Sequence, residues 1–141
     1  MRYLYLKDFW DTKSKRDLTK AYLKKRILKV GLIPSKVSNL YKYKFNSKWV
    51  FITSKALLHI YDRRKAFLCE ILIPNIENIL KIPDDIFINS KKERGLIFVK
   101  QIGMQKVLLV LNYANNLKPR GYYVVTAFVG RERYLQKLKR L

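Results

Sequence analysis

The sequence predicts an α+β fold: N-terminal helices packed on one face of a curved antiparallel sheet of four to five strands, with a short C-terminal helix. Three observations predict it. The second half carries four runs of β-branched and aromatic residues, "DIFIN" (85–89), "GLIFVKQI" (95–102), "KVLLVLNY" (106–113) and "YYVVTAFV" (122–129), joined by links of hairpin length and turn composition. The first half carries apolar residues at helical spacing. The 141 residues, 49% apolar, supply one core and not two, so residues 1–141 are expected to form a single domain.

The elements follow in chain order. Residues 12–30 run without Pro or Gly, with Leu18, Ala21, Tyr22, Leu28 and Val30 set against Lys and Arg. This predicts a basic amphipathic helix ended by Gly31. "YKYKFNSKWVFI" alternates and closes in a β-rich run, which predicts a strand ending at Thr53. Ser54 is the expected N-cap of a helix over "KALLHIYDRR", whose stripe is Leu57, Ile60 and Tyr61. His59 falls off that stripe, one turn from Lys55 and one turn from Arg63. "KAFLCEILIPNIENILKIPDD" predicts a second helical region, with Pro74 in a first turn and Pro83 as its stop. Four strands follow as an antiparallel meander, and "RERYLQKLKRL" predicts the closing helix, with Tyr134, Leu135 and Leu138 as its stripe.

The charge is the outstanding feature. Thirty-one Lys and Arg face ten Asp and Glu, a formal +21. Such a field repels itself unless it meets an anion, which points to nucleic acid ahead of acidic membrane or acidic protein. No run of eighteen apolar residues appears and the N-terminus lacks an apolar signal block, so a soluble cytoplasmic protein without a membrane partner is expected. The single cysteine, Cys69, lies in an apolar run and is expected in the core.

Absences prune the enzyme classes. There is no HExxH, no CxxC, no EF-hand loop, no GxxxxGK[ST] and no GxGxxG, so neither metal nor cofactor is expected. Asp84 and Asp85 follow Pro83 and read as turn residues. What remains is chemistry that needs cations, hydroxyls and one group titrating near neutrality. RNA cleavage by its own 2′-hydroxyl fits: the protein moves two protons and stabilises a charged phosphorane. Histidine ordinarily titrates near 6.5 and can take either proton role. Lys100, a cation within an apolar strand, and Thr126, a hydroxyl among apolar neighbours, are the strand-borne candidates.

The order "FITSK", "ALLHIYDRRK", "IPDDIFIN", "FVKQI", "KVLLVLN" and "YYVVTAFV" resembles the phage-associated BECR nucleases, the barnase, EndoU, colicin E5/D and RelE-like ribonucleases. The resemblance covers roughly residues 48–138, leaving 1–45 as a basic helical extension. It implies a metal-independent endoribonuclease, often a toxin, that leaves a 2′,3′-cyclic phosphate. It further implies His59 as the proton-transfer residue, Lys100 as the phosphate or transition-state cation and Thr126 as a donor to the phosphate. Lys55, Arg63, Lys65 and Tyr134 are the accompanying phosphate-binding candidates. Lys65 stands about where many such sequences carry a second histidine, which leaves the second proton-transfer group open among Lys100, Arg63 and Tyr134. The partners expected are RNA, tRNA included, and an acidic antitoxin or immunity protein. Two other readings fit the charge: a non-catalytic nucleic-acid-binding protein and a packaging protein, either one from a virus or mobile element.

Overall fold

The computed structural model describes residues 3–10, 25–35, 37, 48–88, 95–114 and 116–140. Its elements run α1 (Leu6–Trp10), β1 (Ile27–Leu32), β2 (Trp49–Thr53), α2 (Ser54–Arg63), a π-helical turn (Phe67–Leu72), α3 (Ile73–Lys81), β3 (Asp85–Ile88), β4 (Gly95–Ile102), β5 (Gln105–Ala114), β6 (Gly121–Gly130), α4 (Glu132–Leu135) and β7 (Lys139–Arg140). The seven strands form one sheet in the order β1-β2-β6-β5-β4-β3-β7.

The expected α+β class and the β3-to-β6 meander are present, with each neighbouring pair antiparallel. The sheet as a whole is mixed, because β2 pairs with β6 in parallel through Val50↔Tyr122 and Phe51↔Tyr123. It is also wider than expected. The helix expected over 12–30 is overturned at its C-terminal end: Ile27–Leu32 is an edge strand antiparallel to β2. Gly31 therefore sits inside a strand and ends no helix; it lies beside a bulge, and its missing Cβ makes room for Leu80 of α3. Residues 12–24 and 41–47, which carry the rest of that helix and the start of the β2 strand, lie outside the described residues. The closing helix is a single turn followed by β7, where the sequence predicted continuous helix.

Alternation sorts the strand side chains onto two faces. One face is covered by α1, α2, the π-turn and α3, and carries the main core, in which Leu57, Ile60, Ile79 and Leu80 meet Ile52, Phe98, Leu109 and Val124. The other face holds a second cluster of Phe87, Ile97, Val99, Leu108 and Val110, closed by Leu135 of α4, with Phe128 and Leu138 against it.

One irregularity decides where the functional candidates point. Val110 pairs with Thr126 but Leu111 pairs with Val124, so Val125 is an extra residue in β6. Such a bulge inverts the alternation beyond it. Tyr122 and Val124 face the helices; past Val125, Ala127 does so and Thr126 faces away.

Candidate active site

α2 begins where β2 ends. Thr53, not the expected Ser54, is its N-cap, the Thr53 Oγ1 accepting from the Ala56 N–H at 3.1 Å. Leu57 and Ile60 are fully buried and pin α2 to the sheet, which leaves His59 and Lys55 exposed on its outer side, as the spacing predicted. The two line a hollow of about 550 Å³ with Thr53, Leu58, Asp62 and the bulged Val125.

The hollow exists because β2 pairs with β6 only as far as Phe51↔Tyr123. Beyond that point no strand among the described residues pairs with this side of β6. Val125 is 45% exposed there, unusual for a valine within a strand. Arg64, at the C-terminal end of α2, crosses the gap: its Nη1 donates to the Ala127 carbonyl at 3.4 Å, and its guanidinium lies 5.8 Å from the centre of the Phe128 ring. Phe128 in turn meets Tyr134 edge-on at 5.7 Å. Arg64 thus links the helix that carries His59 to the strand that carries Thr126.

His59 and Lys55 are brought together in the hollow, and Arg63, exposed, stands one turn from His59. Thr126 is adjacent in sequence to Val125 but faces the other way, on the side of Phe128 and Tyr134. Lys65 turns elsewhere, its ammonium 5.6 Å over the Tyr61 ring, which packs against Trp10.

Lys100 is the clear departure from the sequence-based expectation. It pairs with Val107 and faces the helices, opposite to Thr126. Its Nζ donates to the carbonyl of Ile82 at 2.7 Å and lies 3.6 Å from an Asp84 oxygen. The cation in this apolar strand satisfies the end of α3 and does not join His59. Asp84 is likewise engaged: its Oδ2 accepts from the Gln101 N–H at 2.6 Å.

A family model described as phage-Barnase-EndoU-ColicinE5/D-RelE like nuclease3 matches residues 28–137. The chain belongs to this nuclease family. No curated protein and no solved structure matches it. The match takes in β1, twenty residues ahead of where the sequence motifs began, and so includes the whole described sheet up to α4.

In this nuclease, the site residues missed from sequence are Arg64 and the pair Thr53 and Val125 that floor the hollow. Arg64 was visible only as one of two consecutive arginines; which of them reaches a strand depends on the unpaired half of β6. Among the described residues no three His, Cys, Asp or Glu side chains gather to hold a metal. No helix of the described residues is long and apolar enough to cross a membrane.

Proposed function

We propose that this nuclease is a metal-independent endoribonuclease working at the hollow between α2 and the unpaired half of β6. The observation that carries the reading is the position of His59: the only histidine in the chain is exposed beside Lys55 in a hollow large enough for a nucleotide. His59 takes the proton of the 2′-hydroxyl as its oxygen attacks the adjacent phosphorus, or returns a proton to the departing 5′-oxygen. The P–O5′ bond breaks as the P–O2′ bond forms, leaving a 2′,3′-cyclic phosphate and a 5′-hydroxyl. Lys55 offsets the phosphorane's charge, and Arg63 attracts the phosphate of the bound strand. Thr126 and Tyr134 contact the strand where it crosses the β6 edge onto the other face.

The charge supports the partners as well. A +21 chain attracts RNA, with tRNA a candidate substrate, and equally an acidic antitoxin or immunity protein, as a toxin-like role requires.

Cleavage of total RNA and tRNA in the presence of chelator tests the proposal, with product ends identified by phosphatase and kinase treatment. Cyclic phosphate ends, and a 10²- to 10⁴-fold slower His59→Ala variant that still binds RNA, are expected, the estimate being roughly the usual worth of general acid–base catalysis. Equal cleavage by His59→Ala overturns it.

The opposite facing of Lys100 and Thr126 favours a second reading, a binding protein on a nuclease scaffold. It predicts salt-dependent binding without cleavage in the same assay.

A further inference from the structure

At the other end of β2 from the hollow, the face that carries the second apolar cluster ends in a half-buried Trp49 and an exposed Tyr5. Trp49, Phe51 and Thr53 alternate onto this face with Lys29 of β1. Lys29 Nζ lies 4.2 Å from the centre of the Trp49 ring and 5.1 Å from that of Tyr5, and the two rings meet edge-on at 6.4 Å. The backbone fixes Tyr5 in place: it bridges to Lys29, whose N–H donates to the Leu4 carbonyl at 2.8 Å. A tyrosine held so firmly, yet 42% exposed, is not there to fill a core.

Beside the pair runs a groove of about 520 Å³, lined by Tyr5, Trp49, Leu32, Ser35, Lys48 and Lys81. Lys48 Nζ donates to Ser35 Oγ at 3.0 Å, which sets the ammonium at the groove's rim. Lys48 and Lys81 line it against one carboxylate, Glu77, and Lys29 stands over the two rings at its side. Ring faces flanked by cations match one chemical class, an unpaired nucleotide: a base has a π-face to stack and a phosphate to pair.

We propose that the Tyr5–Trp49 groove is a docking subsite for an unpaired base of a single-stranded nucleic acid. The subsite and the hollow lie at opposite ends of β2. From Trp49 to Thr53 the strand rises about 13 Å, and Thr53 itself lines the His59 hollow. That distance corresponds to about four nucleotides at the ~3.4 Å stacked rise. A strand seated on Tyr5 and Trp49 therefore reaches His59 with few nucleotides between. The inference rests on the proposed function only in taking nucleic acid as ligand; it requires no catalysis.

The test uses the full chain and an uncleavable 2′-O-methyl oligouridine of eight nucleotides. With Trp10→Phe, Trp49 is the only tryptophan, and its fluorescence reports on the groove alone. Quenching on titration is expected, with affinity reduced about tenfold or more by Tyr5→Leu, the scale of one lost base stack. Lys29→Gln, which keeps the stem of the side chain, is expected to weaken binding and lower its salt dependence. Inorganic polyphosphate is expected to bind without quenching and without regard to Tyr5→Leu. Unchanged Trp49 emission, or Tyr5→Leu affinity equal to the parent in a protein with parental circular dichroism, overturns the inference. So does polyphosphate binding with the same dependence on Tyr5, because the groove then reads charge alone. Failure of RNA cleavage with quenching intact removes the catalytic reading and leaves this one standing.

Discussion

The ammonium of Lys100 and the carbonyl oxygen of Ile82 meet at 2.7 Å, the strand closing the end of the helix that precedes it. Ile82 caps α3, so its carbonyl belongs to the end where helical carbonyls lack internal partners and the dipole favours a cation. The ion pair to Asp84, about half exposed, adds little. Lys100→Met is expected to cost about 1 kcal/mol, the usual worth of such a hydrogen bond, and to leave cleavage per folded molecule unchanged. Thermal melts paired with an RNA cleavage assay check this; a variant of parental stability that has lost cleavage would return Lys100 to the active site.

Lys100 also shows how far the sequence could be read. The strands β4, β5 and β6 were legible because their apolar runs end in turn residues, and α2 because Leu57 and Ile60 recur at helical spacing while His59 does not. The relation of Lys100 to Thr126 was not legible. Counting regularly from Tyr122, Thr126 falls on the helix-covered face with Lys100; the extra Val125 inverts it. Nothing in "YYVVTAFV" marks Val125 as the bulge, since the irregularity is defined by which residues of β5 lie opposite. β1 was lost for a related reason. "ILKVGL" is compatible with helix or strand, and its pairing partner, β2, lies some twenty residues away. Local pattern identified the elements whose burial is periodic; it could not supply register, and register places the site.

Gly121 opens β6 where it comes alongside β2. A Cβ there would stand 2.8 Å from the Trp49 carbonyl oxygen and 2.9 Å from the Phe51 ring, and neither the backbone nor the buried ring can yield cheaply. Its φ of +158° is one that residues with a side chain rarely adopt, so backbone strain adds to the cost of contact. Gly121→Ala is expected to destabilise by about 1–3 kcal/mol, the range for an overpacked site. The clash falls at the Trp49 end of β2, away from the hollow, so cleavage per folded molecule is expected to stay near the parent's. A melting temperature equal to the parent's would sink the argument.

Tyr123 gives the chain an alkaline signature. Its hydroxyl donates to the Pro119 carbonyl at 2.6 Å and its ring packs on Phe51 at 5.6 Å. Burial, with a smaller contribution from Tyr3, pushes its pKa from 10.0 up to about 12. The folded state thus holds this proton where the unfolded chain has released it. The resulting stability is fully present below pH 10 and is lost as pH rises from 10 through 12. Denaturant titrations across that window should show stability falling more steeply for the parent than for Tyr123→Phe. Parallel slopes would show that the phenol is not held neutral by the fold.

Arg64 and Arg63 are neighbours in sequence with different expected behaviour. Arg63 is exposed, one turn from His59, and can act only by attracting phosphate. Arg64 donates to Ala127 and lies over Phe128, bridging α2 to the unpaired half of β6, so it sets the distance between the His59 helix and the Thr126 strand. Arg63→Leu should therefore raise KM and reduce the salt dependence of binding while leaving kcat near the parent's. Arg64→Leu leaves the Ala127 carbonyl to water, at a cost of about 0.5–1.5 kcal/mol. It also frees α2 to shift against β6, so its loss should appear in kcat, where small displacements of a proton-transfer group are felt. Arg64→Lys can still reach the carbonyl with a single donor and should recover part of that loss. Steady-state kinetics on a short RNA separate the two residues. If Arg64→Leu changes KM alone and Arg64→Lys restores nothing, Arg64 is one more phosphate contact, and the β6 edge does not govern the geometry of the hollow.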